Sequence, residues 1–360
     1  MNVFDHVEFD HHERIGFFND TKTGLKAIIA IHNTNRGPAL GGCRMWNYAS
    51  EDEALTDVLR LSRGMTYKAA ITDLPLGGGK SVIIADAKTE KTPEMMRAMG
   101  RAVQQMGGDY ITAEDVNTSV DDMLQISKET THVVGLPATD GQGGGDPSPL
   151  TAYGVFVGLK SAVEYRLKSD LNGKVVAVQG LGHVGYNLCR HLHESGAKLV
   201  VTDINADVLD QAKSDFGAEV VGLNDIYDVD ADVYAPCALG ATLNDDTLPR
   251  LKVSVIAGAA NNQLATAKHA NILQDRGILY APDYVINAGG LINVHYEHVA
   301  RKSGGGYDRD AVCAHIDKIG DTMETLFKMS ERENISTATA ADRLAEQRFN
   351  APKATTAEAA

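Results

Sequence analysis

The chain has 360 residues, 43% hydrophobic and 23% charged, with a formal net charge of −14. That length suggests two domains, and the acidic balance argues against nucleic acid or an anionic membrane as a partner. No apolar run approaches the ~20 residues of a membrane span, and residues 1–14 carry Asp5, Glu8, Asp10 and Glu13 without an apolar stretch, so neither a signal nor a transit peptide is expected.

Residues 25–32 (LKAIIAIH) read as a strand, after which Gly37, Pro38, Gly41 and Gly42 break the pattern. Ser50 with Glu53 suggests a capping box, followed by a helical stripe of Ala54, Leu55, Val58, Leu59 and Ser62 running to about Lys68. The run 81–85 (SVIIA) predicts a short strand, and Thr92-Pro93-Glu94 a helix start with cap, proline and early acid. Residues 110–113 read as a strand, and Ser119 with Asp121 and Asp122 opens another helix. This alternation argues an α/β domain. The run 139–149 (TDGQGGGDPSP) marks a domain boundary, free at its glycines and stiff at Pro-Ser-Pro. Ser148-Pro149 then caps a helix to about Arg166.

The next stretch is the most informative. An apolar run, Val175 to Val178, reads as a buried parallel strand, followed by Gly180-Leu181-Gly182-His183-Val184-Gly185. Val184, Leu188 and Leu192 space as a helix closed by Gly196, and a second strand, 199–202, ends at Asp203. The first glycine makes a tight turn, the second admits a pyrophosphate, and the third lets the helix pack close to the sheet with its N–H groups toward the phosphates. An acid at the second strand's end accepts from the adenosine ribose hydroxyls and repels a 2′-phosphate, so the site is expected to take NAD rather than NADP. Residues 205–216 and the segments around Val233, Val255 and Leu279 continue the alternation, and helical pattern dominates 308–330 and 336–349. Four scattered cysteines, Cys43, Cys189, Cys237 and Cys313, lack C-x-x-C spacing and read as buried free thiols of a cytoplasmic protein, and no metal site is expected.

Upstream, Lys68 ends the capped helix and Lys80 closes Leu76-Gly77-Gly78-Gly79-Lys80. The glycines let backbone approach a ligand, but the spacing is not that of a P-loop. Asp115 follows a strand, where ligands of α/β sheets lie. Two lysines close together in a closed cleft would each disfavour the other's charge, and a neutral lysine is a general base. These residues alone leave Lys80 open between a solvated surface lysine and that base. Three downstream runs, around Cys237-Ala238, Ala260-Asn261-Asn262 and Asn287-Ala288-Gly289-Gly290, read as loops at strand ends suited to a nicotinamide ribose.

Six motifs in order then carry a resemblance: PALGGCRMW at 38–46, GMTYK at 64–68, LGGGK at 76–80, ITAED at 111–115, APCALG at 235–240 and APDYVINAGG at 281–290. With them the chain resembles the glutamate/leucine/phenylalanine/valine dehydrogenase family from about Lys26 to Asn350. The resemblance implies two α/β domains separated by a cleft. Residues 1–140 form a substrate and oligomerisation domain to which a C-terminal helix at about 331–350 returns. Residues 141–330 are implied to form a Rossmann-like, doubly wound NAD domain, while 351–360, which lacks core-forming residues, is expected from its composition to be a disordered tail. It implies reversible oxidative deamination of an L-amino acid to a 2-oxo acid and ammonia, and a homo-oligomer, commonly an octamer.

By the same resemblance Lys68 binds the substrate carboxylate, Lys80 activates water, and Asp115 assists proton transfer at the amino group. Gly41, Gly42, Met65 and Asn262 contact the substrate. Thr151, Cys237, Ala238, Ala260, Asn261, Asn262 and Asn287 join the glycine motif around the cofactor. Leu40, Ala113, Leu291 and Val294 face the substrate side chain. All four are apolar, which points to branched aliphatic substrates and away from a dicarboxylic one. Leu291 departs from the smaller valine of leucine-specific members toward the phenylalanine-specific ones, so phenylalanine is the alternative substrate. A non-catalytic NAD sensor on this fold is the alternative of another class, and the joint presence of Lys68, Lys80 and Asp115 speaks against it.

Overall fold

The computed structural model describes residues 3–137 and 143–351. The chain divides into a first unit, Met1–Gly145 with Val294–Tyr307 and Ala345–Ala360, and a second, Asp146–Asn293 with Asp308–Leu344. The expected boundary at 140/141 and the tail beyond 351 lie outside the described residues. The first unit also takes up 294–307, which no sequence feature singles out, and its C-terminal segment begins at Ala345 rather than at 331.

In the first unit β1 (Arg14–Asp20) and β2 (Leu25–Asn33) form a hairpin, followed by β3 (Ala39–Trp46), α1 (Glu51–Ile71), β4 (Gly77–Ile84), α2 (Pro93–Gln105), β5 (Tyr110–Glu114) and α3 (Val120–Ile126). The sheet order is β1-β2-β4-β3-β5, with β3 parallel to both β4 and β5 and β2 antiparallel to β4. Side chains alternate along β2. Leu25, Ala27, Ile29 and Ile31 join Met95, Met99 and Val103 of α2, while Ile28 and Ala30 join Leu55, Val58 and Leu59 of α1. Both faces are buried from Ala27 to Ile31, which is why that part of β2 reads as an unbroken apolar run.

Three local expectations change. Gly41 and Gly42 lie inside β3 instead of breaking it, and Gly77 to Gly79 open β4 instead of preceding it. Packing overrides glycine's poor strand propensity here: a Cβ on Gly78 would come within 2.0 Å of Thr66 N in α1. The Ser50 hydroxyl caps α1 as expected, accepting from Glu53 N, but the Glu53 carboxylate takes Ala49 N.

The second unit contains α4 (Ser148–Leu167), β6 (Val175–Gln179), α5 (His183–Glu194), β7 (Lys198–Thr202), α6 (Ala206–Phe216), β8 (Glu219–Val220), β9 (Val233–Pro236), β10 (Val255–Ile256), α7 (Lys268–Asp275), β11 (Leu279–Tyr280) and α8 (Asp283–Ile286). Helix α9 (Gly289–Ser303) starts here and ends in the first unit; α10 (Arg309–Glu333) and most of α11 (Thr337–Asn350) follow. The sheet is parallel throughout, ordered β11-β10-β9-β6-β7-β8. The chain leaves β6 toward β7 and β8, then returns to β9 on the other side. That reversal is the switch point where doubly wound sheets bind ligands.

Ser148 does not cap α4; it is the first helical residue, and its N–H donates to Asp146 Oδ1 at 2.9 Å. Residues 285–286 belong to α8 and Gly289-Gly290 open α9, so this run does not follow a strand there; the strand is β11. All four cysteines are free, but only Cys43 and Cys189 are buried, Cys237 and Cys313 being half-buried. Among the described residues no helix is long and apolar enough to cross a membrane.

Candidate active site

Lys80 lies within β4, Asp115 directly follows β5, and β3 runs between these strands. Alternation sets Lys80 on the same sheet face as Val82, the face that α1 covers. Lys80 Nζ donates to Asp115 Oδ2 at 2.7 Å, the side chains being 7% and 21% exposed. The pair meets across β3 because the intervening residue is glycine. A Cβ on Gly42 would stand 2.7 Å from Asp115 Cβ and 3.2 Å from Lys80 Nζ.

Burial pushes the Asp115 carboxyl up, but the Lys80 ammonium and the Arg44 guanidinium more than offset this and hold it below the usual carboxylate range. An ammonium and a carboxylate joined by one short hydrogen bond, largely shielded from water, can pass a proton between them and on to a third group. In the sequence Arg44 stands out only as part of the PALGGCRMW motif. Its position two residues beyond Gly42 on a strand, hence on the same face, is the signal that could have drawn it into the site.

Met65 and Lys68 stand three residues apart on α1 and share a helix side, both half-buried. In the β3–β5 ladder Leu40 pairs with Ile111 and Gly42 with Ala113, so Leu40, Gly42, Ala113 and Lys80 belong to one sheet face. The Gly41 carbonyl accepts the Tyr110 hydroxyl at 2.7 Å. Val294 falls in the first unit, half-buried on α9; Leu291, buried, and Asn262, exposed, belong to the second.

In the second unit the three glycines of the β6–α5 turn have three distinct surroundings. Gly180 has φ +97°, and a Cβ on it would lie 2.7 Å from that of Ala238. A Cβ on Gly185 would lie 2.0 Å from Gly180 O, so the helix sits hard against the turn. Around Gly182, among the described residues and its chain neighbours apart, no atom lies within 4 Å of such a Cβ, which leaves open space there at the N-terminus of α5. Leu181 N donates to Asp203 Oδ2 at 2.6 Å, and Asn205 N to Oδ1 at 2.8 Å. The acid at the end of β7 therefore braces the glycine turn, a bond no spacing rule shows.

His183 is exposed with Nδ1 3.1 Å from Asp146 Oδ2, and Val184 is half-buried. Cys237 and the exposed Ala238 follow β9, with Cys237 Sγ accepting from Ala259 N at 3.5 Å. Buried Asn287 donates to Asn261 Oδ1 at 2.8 Å and Ala259 O at 3.1 Å. Ala260 is buried, and Asn262 holds a left-handed φ of 53°. Thr151, in the first turn of α4, donates to Pro147 O. Most of these residues gather at strand ends around the switch point, and the open glycine turn, free helix terminus and carboxylate fit a dinucleotide.

Residues 12–132 match the family model described as Glu/Leu/Phe/Val dehydrogenase, dimerisation domain, and residues 143–217 and 205–355 that of Glutamate/Leucine/Phenylalanine/Valine dehydrogenase. The chain is 54% identical over 350 residues to the leucine dehydrogenase of Geobacillus stearothermophilus, covering 97% of this chain and 94% of that one. It is 49% identical over 351 residues to the phenylalanine dehydrogenase of Bacillus thermotolerans, covering 96% and 90%. The crystal structure of L-tryptophan dehydrogenase from Nostoc punctiforme matches with a TM-score of 0.83 at 48% identity, covering 94% of this chain and 96% of that one.

Proposed function

The chain belongs to the glutamate/leucine/phenylalanine/valine dehydrogenase family, as an amino-acid dehydrogenase dependent on NAD(P), and from that premise we propose its reaction and the residues that perform it. The reaction is the reversible NAD-dependent oxidative deamination of branched aliphatic L-amino acids, leucine with isoleucine and valine, to 2-oxo acids and ammonia. The observation that carries this reading is the Lys80–Asp115 pair at 2.7 Å, set on the sheet face that the helix of Lys68 covers.

A bound nicotinamide supplies the hydride acceptor. Lys68 takes the substrate carboxylate and orients Cα. As hydride leaves Cα the amino group becomes an iminium, whose charge the Asp115 carboxylate offsets. Lys80 removes a proton from water as its oxygen bonds to Cα. Asp115 relays that proton from Lys80 to the nitrogen; the new hydroxyl then gives its proton to Lys80 as the C=O bond forms, the C–N bond breaks with its electron pair on nitrogen, and ammonia leaves the 2-oxo acid.

Preference for NAD rests on Asp203, whose charge opposes a 2′-phosphate. Preference for an aliphatic side chain rests on Leu40, Ala113, Leu291 and Val294, all apolar, and on the 54% identity to a leucine enzyme. Phenylalanine is the second reading, favoured by Leu291 and the 49% identity to a phenylalanine enzyme. Self-association accords with the matched dimerisation domain, and an octamer is the assembly to test by light scattering.

The decisive experiment is steady-state kinetics of Lys80→Ala and Lys68→Ala. The first should lose about 10²–10⁴-fold in kcat while NAD still binds; the second should raise KM strongly. Near-parent turnover by Lys80→Ala would refute the assignment.

A further inference from the structure

Arg44 has no part in the roles above, yet its guanidinium joins two half-buried carboxylates. Its Nε donates to Asp115 Oδ2 at 3.1 Å, the same oxygen that takes Lys80 Nζ at 2.7 Å. A terminal nitrogen donates to Asp57 Oδ2 at 2.9 Å, where the Tyr48 hydroxyl also donates at 2.6 Å. The Arg44 and Asp57 side chains are 23% and 27% exposed, so solvent screens these pairs weakly. A planar guanidinium fork holds two carboxylates in one fixed geometry, which an ammonium on a flexible stem does not.

We propose that Arg44, braced by Asp57 on α1, is a positioning residue for the Lys80–Asp115 pair, fixing the Asp115 carboxylate and setting the pH at which the pair becomes competent. This rests on the reading of Lys80 and Asp115 as the proton-transfer groups.

Among the described residues, charged and titratable groups around Asp115 come from four elements and one loop. They are Lys80 on β4, Arg44 and Cys43 on β3, Tyr48 after it, Asp57 on α1 and Tyr110 on β5. Burial first, then the bond to Asp57, pushes the Tyr48 phenol up, so it stays a donor. The two ends of the bracket act with opposite sign. Removing the Arg44 charge takes a cation from beside the pair, which then holds its proton more tightly. Removing the Asp57 charge leaves Arg44 less compensated, and the pair then releases its proton more easily. A merely structural role predicts no such opposition.

The test is the pH profile of kcat/KM at saturating NAD for the parent, Arg44→Ala, Arg44→Lys and Asp57→Asn. The acid limb belongs to the coupled pair rather than to either residue. Arg44→Ala should move it upward by about one pH unit, and Asp57→Asn downward by less. Arg44→Lys, which keeps the charge but not the fork, should leave the limb near the parent's while kcat falls. Arg44 lines a cavity of about 530 Å³ with Trp46, Tyr48, Asp57 and Arg60. Added guanidinium ion should enter there and return the Arg44→Ala limb toward the parent's. Should Arg44→Ala fail to fold, Asp57→Asn and Arg44→Lys carry the test. Limbs that stay in place, or that move the same way in the Arg44→Ala and Asp57→Asn variants, overturn the role of Arg44. An Asp115→Asn variant that keeps parental turnover instead overturns the reading of the pair itself.

Discussion

Leu181 and Asp203 are joined by a 2.6 Å hydrogen bond from the backbone N–H of the glycine turn to the carboxylate that ends β7. The residue that should recognise the adenosine ribose therefore also holds the turn that should receive the pyrophosphate. Each carboxylate oxygen already takes one backbone N–H and keeps a lone pair for a ribose hydroxyl. Asp203→Ala should thus do more than narrow the gap between NAD and NADP. Loss of a charge-assisted bond of about 1.5–3 kcal/mol should weaken NAD itself by about tenfold or more. Titration of both cofactors against parent and variant checks this, and unchanged NAD affinity in Asp203→Ala would reject it.

Gly42 supplies a second test, because it separates contact from chemistry. An alanine methyl there would stand 2.7 Å from Asp115 Cβ and 3.2 Å from Lys80 Nζ, so the pair must part. Gly42→Ala should lower kcat by about 10²-fold, comparable to losing a general base. NAD affinity should remain that of the parent, since the glycine turn belongs to the other unit. Parental turnover would show that the pair need not touch.

The lysine–aspartate pair of the first unit and the glycine turn of the second differ in how far the sequence discloses them. Around Gly180, Gly182 and Gly185 the chemistry is local: strand, turn, helix and acid follow within one crossover, and each glycine has the surroundings its place implies. The Lys80–Asp115 contact is not local. It depends on the order β4-β3-β5, which lays a third strand between the two residues and makes Gly42 the gap they meet across. Periodicity carries no information on strand order. The glycines of β3 and β4 read as breaks because propensity is counted residue by residue, whereas their requirement comes from a helix packed on them. Val285-Ile286 reads as a strand because two apolar residues have no period to distinguish helix from sheet.

Stability should depend on pH through His12, which is 7% exposed, with Nε2 3.1 Å from Leu59 O and 3.0 Å from Ser62 Oγ. Burial first, then the neighbouring His32, pulls its pKa from 6.5 down to about 4. Between these values the unfolded chain binds more protons than the folded one, so stability rises with pH. The contribution is complete above 6.5 and is lost as pH falls toward about 4. Its size is about 3 kcal/mol. Burial lowers His32 in the same direction. Urea unfolding across this window should show the slope, and His12→Gln should flatten it. A variant with the parent's slope would assign the dependence elsewhere.

Substrate choice should turn on Leu291, 8% exposed in the first turn of α9. That turn is locked to α4. A Cβ on Gly289 would lie 2.0 Å from Leu150 O, and one on Gly290 2.5 Å from Thr151 Oγ1. The backbone cannot retreat to make room, so the side chain at 291 should act as a wall of fixed position. A wall one methylene longer than valine shortens the space for a substrate and is worth about 1–3 kcal/mol. The parent should therefore accept leucine, isoleucine and valine with valine favoured relative to a valine-walled enzyme. Leu291→Val should raise kcat/KM for leucine over valine by about tenfold. If the leucine instead serves as a flat surface for a ring, phenylalanine will be the better substrate. Comparison of kcat/KM for leucine, valine and phenylalanine in both forms decides. Phenylalanine exceeding leucine in the parent by about tenfold, the worth of one or two such contacts, would replace the aliphatic assignment and leave the lysines and the cofactor turn as they stand.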